Sequence, residues 1–123
     1  MIVGIGIDIV RIDRFESWLD DHKLLERYFD SEELAIASTK KITASQTLAA
    51  RFAGKEAFGK ALGTGLSGIT LKEIIIINND KGKPEIKLKG TALEALKNSG
   101  ARKAHISLSH ERENAIAMIV LEE

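Results

Sequence analysis

The 123-residue chain has no cysteine and a single proline, and its 18 basic residues are matched by 18 acidic ones. Without cysteine there is no disulfide, no thiolate metal site and no cysteine nucleophile, a composition that suits a reducing compartment. The even charge balance nominates no partner in bulk. A nucleic-acid binder usually carries a basic surplus, so any charge recognition here must come from local patches. No segment approaches the roughly 18 apolar residues of a membrane span. The N-terminus also lacks the basic start, apolar run and cleavage site of a secretory signal. The expectation is a cytoplasmic protein that meets neither nucleic acid nor membrane. With 44% hydrophobic and 29% charged residues the composition is that of an ordinary globular protein. No repeat or linker divides it, and two domains would each be too small for a core, so residues 1–123 are expected to form one domain.

What is present reads as an alternation of short elements. The β-branched and glycine-rich IVGIGIDIV predicts a strand over residues 2–10. Strand alternation puts Ile5, Ile7 and Ile9 on one face, and Gly4, Gly6, Asp8 and Val10 on the other. Asp8 thus sits on a face opened by two glycines. Ile12, Phe15, Trp18 and Leu19 recur at helical spacing and predict a helix over residues 12–20. Asp30 with Glu33 reads as a capping box for a short helix reaching Ser38. Thr43 with Gln46 marks a second, and SQTLAARFAGKEAFGKALG then runs for about five turns to the glycines at 63 and 65. Residues 69–79 predict a strand whose hairpin partner, Glu85 to Lys89, follows the turn that holds the proline. TALEALKNSG gives a short helix, and HISLSH and AIAMIVLE give two closing strands. This order predicts an α+β fold: a largely antiparallel sheet packed with one long and several short helices.

On the long helix, Leu48, Phe52, Phe58 and Leu62 share an apolar arc. Glu56 and Lys60 lie on one flank, and Arg51 and Lys55 are expected on the opposite flank. A solvated Glu–Lys pair at this spacing is ordinary helix surface worth a few tenths of a kcal/mol, roughly 0.3–0.5. Here the pair borders the buried face beside Ala53, Gly59 and Gly63, which leave room for something to approach. Asp8 reads either as a cap for the helix after it or as a carboxylate pointing across the sheet to Glu56. Two carboxylates with open coordination positions suit Mg²⁺, which completes its shell with water and substrate phosphates. Lys40 and Lys41 precede a helix N-terminus, a place that favours anions. The glycine-rich 63–68 stretch follows a helix, so it reads as a helix stop rather than a phosphate loop. In HISLSH, His105, Ser107 and Ser109 share a polar face, which is expected to be ligand-facing. A serine nucleophile with a histidine base is the rival reading, but the sharp turn of a nucleophile elbow is missing.

Three stretches together resemble the short bacterial branch of the 4′-phosphopantetheinyl transferases, the holo-[acyl-carrier-protein] synthase family. They are GIGIDIV with Arg14 shortly after, ARFAGKEAFGKALGTG, and HISLSHERENAIAMIVLE. They lie in that family's order and, with their connections, cover essentially the whole chain. The resemblance implies Mg²⁺-dependent transfer of 4′-phosphopantetheine from coenzyme A to a serine hydroxyl of apo acyl carrier protein. Adenosine 3′,5′-bisphosphate is the other product, and the setting is fatty-acid biosynthesis. It implies that Asp8 and Glu56 hold the metal, that Glu56 or a water it orients is the base, and that Lys60 meets the leaving phosphate. Lys40, Lys41 and Arg51 become candidates for the 3′-phosphate and pyrophosphate. His105, Ser107 and the turn carrying Gly82, Lys83 and Pro84 become candidates for the nucleotide end. Arg14 is the candidate for carrier docking, although Arg11, Arg14, Lys23 and Arg27 are interspersed with Asp13, Glu16, Asp20 and Asp21. The family's fold places each active site between the subunits of a homotrimer. The competing readings are another metal-dependent enzyme of nucleotide pyrophosphates, or a non-catalytic coenzyme A-binding scaffold.

Overall fold

The computed structural model describes residues 1–39 and 41–123, with Lys41 described by its backbone alone. Strand β1 (Ile2–Arg11) forms one edge of a three-stranded sheet. Its neighbours are β5 (Asn114–Glu122) at the centre and β4 (Lys103–His110) at the far edge, and every pairing is antiparallel. A separate antiparallel hairpin joins β2 (Ile74–Asn78) to β3 (Pro84–Leu88). The helices are α1 (His22–Tyr28), α2 (Ser31–Thr39), α3 (Ala44–Leu62) and α4 (Gly90–Asn98). The fold is α+β as expected, with the antiparallel strands divided between two sheets.

Strand alternation sorts the larger sheet into two unlike faces. Gly6 and Val10 of β1 and Ala115, Ala117, Ile119 and Leu121 of β5 are buried against α3. On the other face Ile5, Ile7 and Ile9 are each close to 60% exposed, in register with Val120, Met118 and Ile116.

The glycine face is filled rather than open. A methyl group on Gly4 would strike the Ala61 carbonyl, and one on Gly6 the Ala57 carbonyl and the Ala61 amide. Two strand residues advance about 6.6 Å and four helix residues about 6 Å, so the two glycines match successive turns of α3. Buried alanines at 49, 50, 53, 57 and 61 complete the close approach. Gly63, at φ 81°, ends α3 as its left-handed C-cap residue.

Two expected elements need correction, and one helix is additional. Residues 12–20 form two 3₁₀ turns, Ile12–Phe15 and Ser17–Asp20, and not one α-helix. Ile12, Phe15 and Trp18 recur every third residue, the spacing that a three-residue turn aligns on one side. The strand expected over residues 69–79 begins only at Ile74, after a 3₁₀ turn at Leu71–Glu73. Helix α1, capped by the Asp21 side chain on the Leu24 amide, was not anticipated.

Nor does α3 have an exposed flank at Arg51 and Lys55, because both are buried. Arg51 donates from Nε to the Ile76 carbonyl at 2.9 Å and from Nη2 to Asn78 Oδ1 at 2.6 Å. Lys55 Nζ donates to Glu33 Oε1 at 2.7 Å, to the Leu71 carbonyl at 3.1 Å, and to the Ile74 carbonyl. Glu33 also accepts from the Asp30 amide at 3.0 Å and the Ile76 amide at 3.1 Å. The Asp30–Glu33 capping box therefore forms, and its glutamate reaches into the core as well. Burial pushes the Glu33 carboxyl up and the Lys55 ammonium down. Three acceptors around Nζ and three donors around the carboxylate oppose that, and they describe an ion pair.

The helix–sheet contact carries a direct consequence. Gly6→Ala drives a methyl group into the α3 backbone, so it should destabilise the protein by about 2–3 kcal/mol, at the upper end of overpacking costs. Denaturant unfolding measures this, and a variant as stable as the parent would mean that the helix can move away freely.

Candidate active site

Asp8 lies mid-strand opposite Ala117, and Arg11 stands at the N-cap of the turn that follows, so Asp8 caps nothing. Two residues beyond Gly6, it emerges beside α3, where Lys60 Nζ reaches its Oδ1 at 3.0 Å. Helical side chains lean toward the N-terminus of their helix, which brings Lys60 back along α3 to the strand. Glu56, one turn earlier, is half-buried in the same place. Burial and then the nearby Asp8 carboxylate push the Glu56 carboxyl up, while the Lys60 and Arg14 charges pull it down. The structure thus brings together Asp8, Glu56 and Lys60, and adds Arg14 to them.

Arg14 is held by aromatic rings. Its guanidinium lies 5.1 Å from the centre of the Phe52 ring, 5.6 Å from Phe15 and 5.8 Å from Trp18. Trp18 itself stacks on Tyr28 at 5.4 Å and meets Phe15 at 4.7 Å. A cation over several ring faces is attracted by their quadrupoles, and here the attraction fixes a cation within reach of Glu56. The three-residue spacing of Phe15 and Trp18 was the available signal for this cluster. Its link to Phe52 on α3 was not legible.

The donor set fits a small hard cation. The two carboxylates repel each other and both remain partly exposed, and Mg²⁺ binds through one or two carboxylates plus phosphate oxygens and water. Among the described residues no cluster of three or more metal-ligating side chains occurs, so no closed protein cage competes with that arrangement.

The other candidates lie elsewhere. Arg51, Gly82 and Pro84 line one cleft with Gln46, Asn78 and His110, and Arg51 spends its donors on the cleft floor. Lys83, Pro84 and His105 line a neighbouring cleft. His105 and Ser107 belong to the outer face of the sheet, level with Val120 and Met118, and therefore opposite to Asp8. His105 Nε2 sits 3.0 Å from Glu122 Oε1. The expected ligand-facing strand thus does not face Asp8 and Glu56 within one chain. Lys40 and the Lys41 side chain lie outside the described residues.

The family model of the 4′-phosphopantetheinyl transferase superfamily matches residues 4–119. A holo-[acyl-carrier-protein] synthase of Treponema denticola is 54% identical over 122 residues, covering 99% of both chains. The chain belongs to the holo-[acyl-carrier-protein] synthase family. Two solved synthases have the same fold. That of Bacillus anthracis, in complex with coenzyme A (3′,5′-ADP), is 38% identical with a TM-score of 0.82, covering 99% of this chain and 97% of its own. That of Neisseria meningitidis is 32% identical with a TM-score of 0.88, each chain covered completely. As a member of this enzyme family the chain has the expected α+β fold. Among its described residues no helix is long and apolar enough to cross a membrane.

The electrostatics of the carboxylate pair can be tested in solution. Asp8→Asn removes a repelling charge and releases Lys60, so the Glu56 titration should move to lower pH, toward an ordinary glutamate. Carboxyl carbon shifts followed through a pH series would detect it. An unmoved titration would leave burial as the sole cause.

Proposed function

We propose that this enzyme moves the 4′-phosphopantetheine of coenzyme A onto a serine hydroxyl of apo acyl carrier protein, releasing adenosine 3′,5′-bisphosphate. The observation that carries the reading is the convergence of Asp8, Glu56 and Lys60 in a chain of this family. Residues 1–123 act as one transferase domain, in the cytoplasm and in the service of fatty-acid biosynthesis. Asp8 and Glu56 are the ligands of a Mg²⁺ ion. When bound, the ion neutralises the pyrophosphate charge that grows as the bridging bond breaks.

The remaining work falls to side chains of the chain itself. Glu56, held above an ordinary glutamate by burial and Asp8, is suited to take the serine proton directly or through an ordered water. The serine oxygen bonds to the phosphorus of the phosphopantetheine, and the bond to the bridging oxygen of the bisphosphate breaks. Lys60 meets the charge left on that oxygen, either as an ammonium or by giving up a proton. Arg14 offers a fixed cation at the edge of the site to the acidic carrier. Lys40 and Lys41 serve the pyrophosphate and 3′-phosphate, and Gly82, Lys83, Pro84, His105 and Ser107 the nucleotide end, while Arg51, its donors taken by Ile76 and Asn78, shapes the cleft that Gly82 and Pro84 line.

His105 and Ser107 lie on the sheet face opposite to Asp8, so their contacts to a nucleotide suit the site of an adjacent subunit. That supports a homotrimer with active sites between subunits. Ile5, Ile7, Ile9 and Met118 are exposed together on this outer face, and a row of large apolar side chains is a natural interface. A charge placed there, as in Ile7→Lys, should yield folded monomers by light scattering, with activity lost at assay concentrations. Intact trimers from that variant would move the interface elsewhere.

One assay tests the reaction. Incubation of the enzyme with Mg²⁺, coenzyme A and apo carrier protein should raise the carrier mass by one phosphopantetheine group. Asp8→Ala and Glu56→Ala should each abolish the gain while leaving circular dichroism unchanged. Pyrophosphate cleavage without a mass gain would instead describe a hydrolase, and binding without turnover a scaffold.

A further inference from the structure

The buried pair Glu33–Lys55 touches neither substrate nor metal in this reading, yet Lys55 immediately precedes Glu56. Neighbouring helical residues diverge by about 100°, so whatever fixes the direction of Lys55 also fixes that of Glu56. Lys55 is held from three sides, by Glu33 of α2, by the Ile74 carbonyl of β2 and by the Leu71 carbonyl just before it. Glu33 is held in turn by the Asp30 amide at the start of α2 and by the Ile76 amide of β2. Both side chains are fully buried, so water cannot replace any of these partners. Apolar contacts tolerate sliding and rotation, but a set of directed bonds converging from two other elements does not. A helix side chain ends about 5–6 Å from the axis, so turning α3 by about 20° would carry the Glu56 carboxylate roughly 2 Å. Mg²⁺ demands near-octahedral geometry at about 2.0–2.1 Å, which such a displacement destroys.

We propose that Glu33 and Lys55 are positioning residues, setting the rotation of α3 so that Glu56 faces Asp8 at the distance a shared cation requires. This rests on the reading of Asp8 and Glu56 as metal ligands. The pair acts about 100° around α3 from Glu56, on the side that packs against α2 and β2. It accounts for a fully buried charge pair on a helix whose other buried side chains, Arg51 apart, are small or apolar.

The test is Mn²⁺ binding by the whole protein in the presence of coenzyme A, read from the electron paramagnetic resonance of the free ion. Glu33→Gln keeps the size of the side chain and removes the charge, while Glu33→Asp keeps the charge and shortens its reach. Glu33→Gln is expected to weaken Mn²⁺ binding about tenfold, the low end of what supporting partners of metal ligands contribute. Glu33→Asp, the milder change, should weaken it severalfold and covers the case in which the glutamine variant does not fold. Leu96→Ala in α4 serves as the destabilised control and should bind Mn²⁺ within twofold of the parent. Parental Mn²⁺ affinity in either folded Glu33 variant, or an equal loss in Leu96→Ala, would overturn the positioning role. Glu56→Ala separates the two readings: if it binds Mn²⁺ normally, the metal site itself is wrong, whatever the Glu33 variants do.

Discussion

Strand β2 pairs on one side only, and its other edge points into the protein. Three backbone groups on that edge, the Ile74 carbonyl and both polar groups of Ile76, meet Lys55, Glu33 and Arg51 where another strand would stand. Each buried group left unanswered would cost about 1–3 kcal/mol. Charged side chains are an expensive answer because their own hydration is lost. Removing one partner of a buried pair typically destabilises by about 3–5 kcal/mol even where the pair adds little net stability. The gain is geometric, since few placements of α2, α3 and β2 satisfy every bond at once.

From this fixed side the constraint passes through α3 to the three-stranded sheet. Small residues do the transmitting. With glycines at 4 and 6 and alanines along the helix, strand and helix backbones come as close as sterics allow, leaving little slack between the hairpin side and the sheet side. Just past this tight stretch Asp8, Glu56 and Lys60 gather. Burial and, after it, the neighbouring Asp8 carboxylate disfavour the Glu56 charge there. Lys60 and Arg14 offset part of this, the first from solvent and the second from a bed of aromatic rings.

Much of this was legible in the sequence, for reasons that differ by element. The strands and α3 announced themselves by alternation, by their length and by the glycine stop at 63. The pairing of Asp8 with Glu56 was not legible from spacing, because it depends on Gly4 and Gly6 docking on successive helix turns. Treating α3 as a helix with one buried arc misplaced Arg51 and Lys55. A helix enclosed on nearly all sides gives Arg51 and Lys55 no solvent to point into, and they turn inward to strand carbonyls. Residues 12–20 misled because isoleucine, phenylalanine and tryptophan three apart suit a 3₁₀ turn as well as an α-helix. For His105 and Ser107 the alternation was read correctly, but the side of the sheet that faces Asp8 was a matter of tertiary packing.

The chain has a single tryptophan, and it lies in the ring cluster beneath Arg14. Indole emission depends on the polarity and charge immediately around the ring. Ultraviolet-excited fluorescence of the unlabelled enzyme therefore samples one locality, at the border between the charged cluster and the surface beside it. The molecule carries a built-in optical probe directly beside the Arg14 guanidinium.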